Sequence, residues 1–373
     1  MKRVLIIANN DAGIYLFRRE LLVALDEEGF EIHIITPDTG FTARLLDLGA
    51  VLHVTDIDRR GTNPLHDISL YRSYRRLIRE VSPDVILTYT IKPIVYGGVA
   101  GRKAHIPVLA TITGLTSAML GGGPMKLMLK SMYAAGLKGA ACVFFQNRDN
   151  MNFMTSSGCL PRNAKTALLP GSGVDLEDYD SVPYPSEEDG LRLLAVCRLS
   201  EKKGSARLLD MIREVHSRRP DVTLDIVGGY ELGCEEKYKA VIDDLVGRGA
   251  VRFTDFVSDV RPFYASCHAL VHPTVSEGMS NVVQEACATA RPVITSDIPG
   301  CREIYEPGKG GFGFAVDSLE DMIETVMRFV EMSREEREQM GRNAREYVAA
   351  HFDRRIVIKS YMEEIKRNCH ECV

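Results

Sequence analysis

Short, unbroken apolar runs alternate with segments of helical periodicity, twice along this chain, and that alternation restricts the fold more than any single motif. The run at 4–8 (VLIIA) is apolar on both faces, as a central parallel strand buried on both sides requires. Residues 9–13 then turn into a helix whose face carries Tyr15, Leu16, Arg19, Leu22, Val23 and Leu25, and Gly29 ends it. Strand patterns recur at 31–35, 51–54, 84–88, 108–112 and 142–146, separated by helical patterns near 65–81 and 93–103. The rhythm resumes with strands at 191–197, 222–227, 251–257, 269–273 and 292–296; charged helices follow from 319 to 351, and a last helix from 353 to 367. Repeated in this way, the alternation implies right-handed βαβ units and doubly wound parallel sheets. Ligands of such sheets bind outside the carboxyl ends of the strands, so the loops 9–13, 89–93 and 113–123 are expected to share a cleft.

At 373 residues the chain exceeds one comfortable core, and two α/β domains are expected. The stretch 178–190 holds two prolines and the run EEDG, and its polar, turn-rich character predicts an interdomain linker. The expected division is a first domain over 1–177, that linker, a second domain over 191–352 and a terminal segment over 353–373. A formal charge of −5, with no long basic run, leaves no footprint for nucleic acid as a partner. Nine scattered cysteines suit reduced thiols and a cytoplasmic setting. The pair Cys369 and Cys372 has no second ligand pair to close a zinc site, and the apolar run after Met1 is too short to span a membrane.

Chemistry concentrates in 274–286 (TVSEGMSNVVQEA), where seven residues separate Glu277 from Glu285 across a loop-to-helix junction. Gly278 relieves the turn, Ser280 or Asn281 can cap the helix, and Val282, Val283, Ala286 and Ala290 form its buried stripe. Asn281 and Glu285 share a face one turn apart, whereas Glu277 stays on the approach loop. Backbone amides from Gly278 through Met279 to Val282, at the positive end of the helix, favour a phosphate. Flanking carboxylates accept hydrogen bonds from sugar hydroxyls, which together suggests a nucleotide sugar. Taken alone, the spacing also fits a capped core helix with solvated acids. Arg198 and Lys203 alter that balance, because they follow the strand at 191–197 and open another helix.

This combination resembles the retaining glycosyltransferases of family 4, and the likeness extends along nearly the whole chain. It implies the GT-B fold: two Rossmann-like domains facing a central cleft, with the C-terminal helix crossing back to the first. The resemblance gives Arg198 and Lys203 the donor diphosphate, Glu277 the donor sugar and Glu285 the ribose. It sets the nucleobase against the backbone near Phe256 and Val257, and Gly228 allows close approach to the donor. The opening segment 12–18 (AGIYLFR) is similar to bacterial members that add N-acetylgalactosamine, galactose or related sugars to lipid-linked glycans. The implied partners are a nucleotide-sugar donor, UDP-linked on the narrower likeness, and a glycan or polyprenyl-diphosphate-linked acceptor. No metal or other cofactor is implied.

In the first domain, Gly13 would let the backbone approach the donor phosphates, and Tyr15, Lys92 and Thr113 are the polar groups expected to meet the acceptor. Family members often carry a histidine in these loops, and this chain has Lys92 and Thr113 where it would be sought. The segment 125–138 reads either as a basic amphipathic helix on the inner face of a membrane or as a core helix with snorkelling lysines. Rival readings are a metal-dependent transferase using Asp56 and Asp58, a nucleotide-sugar epimerase on the same fold, and a noncatalytic glycan- or nucleotide-binding protein.

Overall fold

The computed structural model describes residues 1–56 and 63–369. Two compact units divide the chain, one comprising 1–172 with 355–373 and the other 173–354. The first unit holds a sheet of β1 (Arg3–Ile7), β2 (Glu31–Thr36), β3 (Val51–Val54), β4 (Val85–Tyr89), β5 (Val108–Ile112), β6 (Cys142–Phe145) and β7 (Thr166–Leu168). Its order is β3-β2-β1-β4-β5-β6-β7, and each pairing is parallel. The second unit holds β8 (Leu191–Val196), β9 (Val222–Val227), β10 (Val251–Thr254), β11 (Ala269–His272), β12 (Val293–Ser296) and β13 (Gly311–Phe314). They run parallel in the order β10-β9-β8-β11-β12-β13.

The central strands of both sheets are buried on two faces, which is why β1, β4 and β5 contain almost no polar side chain. In the first unit one core combines Ile14, Leu21 and Leu25 of the first helix with Val357, Tyr361 and Ile365 of the helix Arg354–Cys369. Tyr361 shares a hydrogen bond of 2.8 Å with Thr111 of β5, and Glu364 accepts from Lys165 at 2.6 Å.

The stretch 178–190 does not lie between the units as expected; it packs within the second. Its anchor is Arg291, a fully buried cation that donates to the carbonyls of Val182 (3.2 Å) and Pro183 (2.8 Å). Tyr184, also buried, donates to the His268 carbonyl at 3.0 Å. Polar composition marked this stretch as a linker because backbone carbonyls, invisible in sequence, supply its packing partners. The helical span expected from 319 to 351 is two helices, Leu319–Glu331 and Arg334–His351. Ser333 starts the second with a capping box completed by Glu336.

Candidate active site

In the second sheet the strand order reverses between β8 and β11, and a doubly wound sheet opens its ligand crevice at such a switch point. The loop after β8 carries Arg198 and Lys203, and the loop after β11 carries Glu277. A hydrogen bond stitches these loops together, Val275 N donating to Lys202 O at 2.9 Å, and Thr274 Oγ1 lies 3.3 Å from the same carbonyl. Gly204 makes the approach possible. Its φ is +69°, and a Cβ there would press into the Pro273 carbonyl.

The result is a connected polar cluster. Lys203 Nζ donates to Glu277 Oε1, Thr274 Oγ1 donates to the same oxygen at 2.9 Å, and His272 Nε2 lies 3.3 Å from it. Ser280 Oγ sits 3.2 Å from His272 Nε2, so the imidazole bridges the loop carboxylate and the helix cap. Burial alone would raise the Glu277 pKa. The His272 hydrogen bond and the Lys203 charge outweigh it and hold the carboxyl at about 2, ionised at any physiological pH. Burial pushes the His272 imidazole below its ordinary value, against the pull of Glu277.

The helix Asn281–Ala288 begins at Ser280, whose hydroxyl accepts the Val283 amide and whose own amide donates to Gly300 O at 2.8 Å. That leaves the first-turn amides of Asn281 and Val282 without partners among the described residues, the ordinary condition of a helix start open to an anion. Asn281 Oδ1 is likewise buried and unpaired among them. The Met279 side chain is buried in the core, so this residue can offer a ligand its backbone only. One turn on, Glu285 is pushed up to about 7 by burial, although Tyr264 (2.9 Å) and Tyr179 donate hydrogen bonds to it and Arg354 lies near.

The remaining expected donor residues line the same strand ends. Gly228, with φ +129°, sits against the Cys197 carbonyl beside Arg198, and Leu199 N donates to Gly229 O at 2.9 Å. Arg198 is exposed and makes no ion pair or hydrogen bond among the described residues. Phe256 follows β10 with 75% of its surface exposed, while Val257 is half-buried against the core. Sequence reasoning brought Lys203, Glu277 and the helix start together. It missed Thr274, which lay inside the motif, and Tyr264 and Tyr179, whose distance in sequence carries no signal.

In the first unit the strand order reverses between β1 and β4, and a polar cavity of about 260 Å³ lies at their carboxyl ends. Asn9, Thr90, Lys92, Thr113 and Thr116 line it, which brings together two of the three expected acceptor residues. Tyr15 does not line it and packs instead against Phe41, with Arg44 over its ring. The Gly13 amide is already taken by the Asn10 side chain at 2.7 Å. Thr90 was not foreseen: φ is +71°, an uncommon conformation for a β-branched residue and one that concentrates at functional sites. Of the rival Asp-x-Asp spacing, Asp58 lies outside the described residues, as does Cys372 of the terminal pair.

A pair of parallel-sheet α/β units, the second carrying a cationic and amide-rich switch point, defines the architecture of nucleotide-dependent GT-B enzymes. The family described as "Glycosyl transferase 4-like" matches residues 3–147, and "Glycosyl transferases group 1" matches residues 190–332. The chain is a glycosyltransferase and belongs to this group. A relative in Campylobacter jejuni, N,N'-diacetylbacillosaminyl-diphospho-undecaprenol alpha-1,3-N-acetylgalactosaminyltransferase, is 23% identical over 377 residues, covering 97% of each chain. The UDP-Gal:alpha-D-GlcNAc-diphosphoundecaprenol alpha-1,3-galactosyltransferase of Escherichia coli is 23% identical over 319 residues, 82% of this chain and 81% of that one. Anabaena HepE, solved with UDP and glucose, superposes with a TM-score of 0.80 at 18% identity, over 98% of this chain and 100% of that one. This likeness establishes the GT-B fold.

Proposed function

We propose that the chain transfers a hexose or N-acetylhexosamine from a UDP-linked donor to a hydroxyl of a polyprenyl-diphosphate-linked glycan, with retention of anomeric configuration, in bacterial surface polysaccharide synthesis. The observation that carries this reading is the unpaired helix start at Asn281 and Val282 beside the Lys203–Glu277 pair. Lys203 and Arg198 offset the charge that develops on the departing diphosphate, and the two amides share it; each charge-assisted bond is worth about 1.5–3 kcal/mol. Glu277, permanently ionised, orients the donor hexose, and Glu285 accepts from the ribose. A donor phosphate oxygen assists deprotonation of the acceptor, so no covalent sugar–enzyme intermediate forms. Lys92 and Thr113, in the polar cavity of the first unit, serve the acceptor.

The names of the Campylobacter and Escherichia relatives support a diphosphate-linked polyprenol as the acceptor's carrier, and such a carrier suits work at the inner face of the membrane. Among the described residues no helix is long and apolar enough to cross a membrane. The helix Pro124–Leu137 exposes Met125, Leu127 and Met128 and carries Lys126 and Lys130, a composition suited to an anionic membrane surface.

The deciding experiment incubates purified protein with a panel of labelled nucleotide sugars, with and without lipid-linked acceptor. Transfer that survives excess chelator is the expected result. Loss restored by manganese would establish a metal mechanism, a changed sugar stereocentre without acceptor would establish an epimerase, and binding without turnover would establish a noncatalytic protein.

A further inference from the structure

In the first unit a groove of about 870 Å³ runs beside the polar cavity and shares Ile91 and Lys92 with it. Its walls are apolar: Ile68 and Tyr71 from the helix Pro64–Val81, Val95 and Val99 from the turn and helix after β4, and Met128 and Met132 from the helix Pro124–Leu137. Backbone packing explains why it stays open. Gly136 lies directly on the backbone of Ile94 and Val95, and Gly98 on the Gly136 carbonyl, so this helix is pinned at its C-terminal end. Tyr133, Gly136 and Leu137 are buried there, while Met125, Leu127 and Met128, two turns earlier, are exposed.

One polar residue of the groove, Lys92, is shared with the cavity. Lys92 Nζ donates to Asp67 Oδ1 at 2.7 Å, with only 13% and 16% of the two side chains exposed, and Tyr96 hydrogen-bonds the same carboxylate. An ammonium has three donors, so Lys92 keeps capacity for an anion while Asp67 holds it in place. Lys103, exposed at the rim, packs over the Tyr71 ring and adds a second positive charge. An occupant matched to these features has an apolar body, an anionic junction and a hydroxylated head that reaches the polar cavity. The volume falls within the roughly 300–1,000 Å³ of small-molecule sites, enough for part of a long chain.

We infer that this groove receives the carrier-proximal isoprene units of the acceptor, with the diphosphate at Lys92 and Lys103 and the sugar in the cavity lined by Thr90 and Thr113. The inference rests on the proposed reading of the acceptor as a polyprenyl-diphosphate-linked glycan. It makes the lipid a recognised part of the substrate.

The test is a calorimetric titration of the whole protein with inorganic diphosphate and with geranyl, farnesyl and geranylgeranyl diphosphate below their micellar concentrations. Affinity should rise about tenfold from geranyl to farnesyl as apolar surface is covered, and inorganic diphosphate should bind weakest. Ile68→Glu and Met128→Glu, at positions 47% and 43% exposed and therefore tolerant of charge, should each weaken farnesyl diphosphate about tenfold and leave UDP affinity unchanged. Equal affinity across the chain-length series, or variants that bind farnesyl diphosphate like the parent, would overturn the inference. So would variants that lose adsorption to phosphatidylglycerol vesicles but keep farnesyl diphosphate affinity, since the face would then be a bilayer contact. Failure of UDP to bind the parent protein would count against the donor reading instead, and the chain-length series would still judge the groove.

Discussion

Replacing Lys203 with Met separates the catalytic role of this lysine from its structural one. Lys203 and Glu277 form an ion pair with 28% and 15% of their side chains exposed, and Glu277 is depressed from 4.5 to about 2. A shift of that size corresponds to about 3 kcal/mol of differential stability at neutral pH. The His272 hydrogen bond supplies a larger share of it than Lys203 does, so loss of the lysine should cost about 1–2 kcal/mol. The sign follows from the direction of the shift. A depressed carboxyl stabilises the fold above its unfolded value near 4.5, and that contribution disappears as pH falls through about 2. The stability gap between parent and Lys203→Met, measured by urea unfolding, should therefore be full at pH 7 and close toward pH 2. The double variant Lys203→Met with Glu277→Gln leaves no unpaired charge and should come within about 0.5 kcal/mol of Glu277→Gln alone. Turnover behaves differently: loss of a cation that meets developing charge should cost about 10²–10³ in rate, and the second substitution should not restore it. Recovery of rate together with stability in the double variant would refute the reasoning and make the pair purely structural.

Two further outcomes follow from the same cluster. Glu285, raised to about 7, favours the protonated fold, so its contribution is full below about 4.5 and is lost as pH rises through about 7. Part of its surface still reaches solvent, which limits the effect: Glu285→Gln should gain about 1–3 kcal/mol at pH 8 and little at pH 4 in thermal unfolding. UDP affinity of the parent, read by calorimetry, should climb as pH passes through about 7, and that of Glu285→Gln should stay flat. Gly204→Ala forces a side chain into a left-handed position against the Pro273 carbonyl and should lower stability by about 2 kcal/mol or more, seen as a reduced urea midpoint with an unchanged slope.

The parallel architecture was legible because strands buried on both faces cannot hide their apolar runs, as β1 and β4 show. Strand β13 escaped because its sequence GFGF lacks the β-branched residues that mark a strand; its pairing with β12 supplies what its composition does not. The helix break before Ser333 was readable in principle from the serine and Glu336 three residues later, but charge patterning on both sides concealed it. In the site, Glu277 and Glu285 could be placed because one loop and one helix hold both within nine residues. The tyrosines that clasp Glu285 and the left-handed backbone of Thr90 depend on tertiary contacts, which no local pattern encodes.

The proposed activity depends on recognition of the donor through its diphosphate by Arg198, Lys203 and the amides of Asn281 and Val282. Calorimetric titration with UDP and with uridine tests this directly, for the parent protein and for Arg198→Ala. UDP should bind the parent about a hundredfold more tightly than uridine, and Arg198→Ala should remove at least tenfold of that difference while leaving uridine unchanged. Equal affinity for UDP and uridine in the parent would contradict the account.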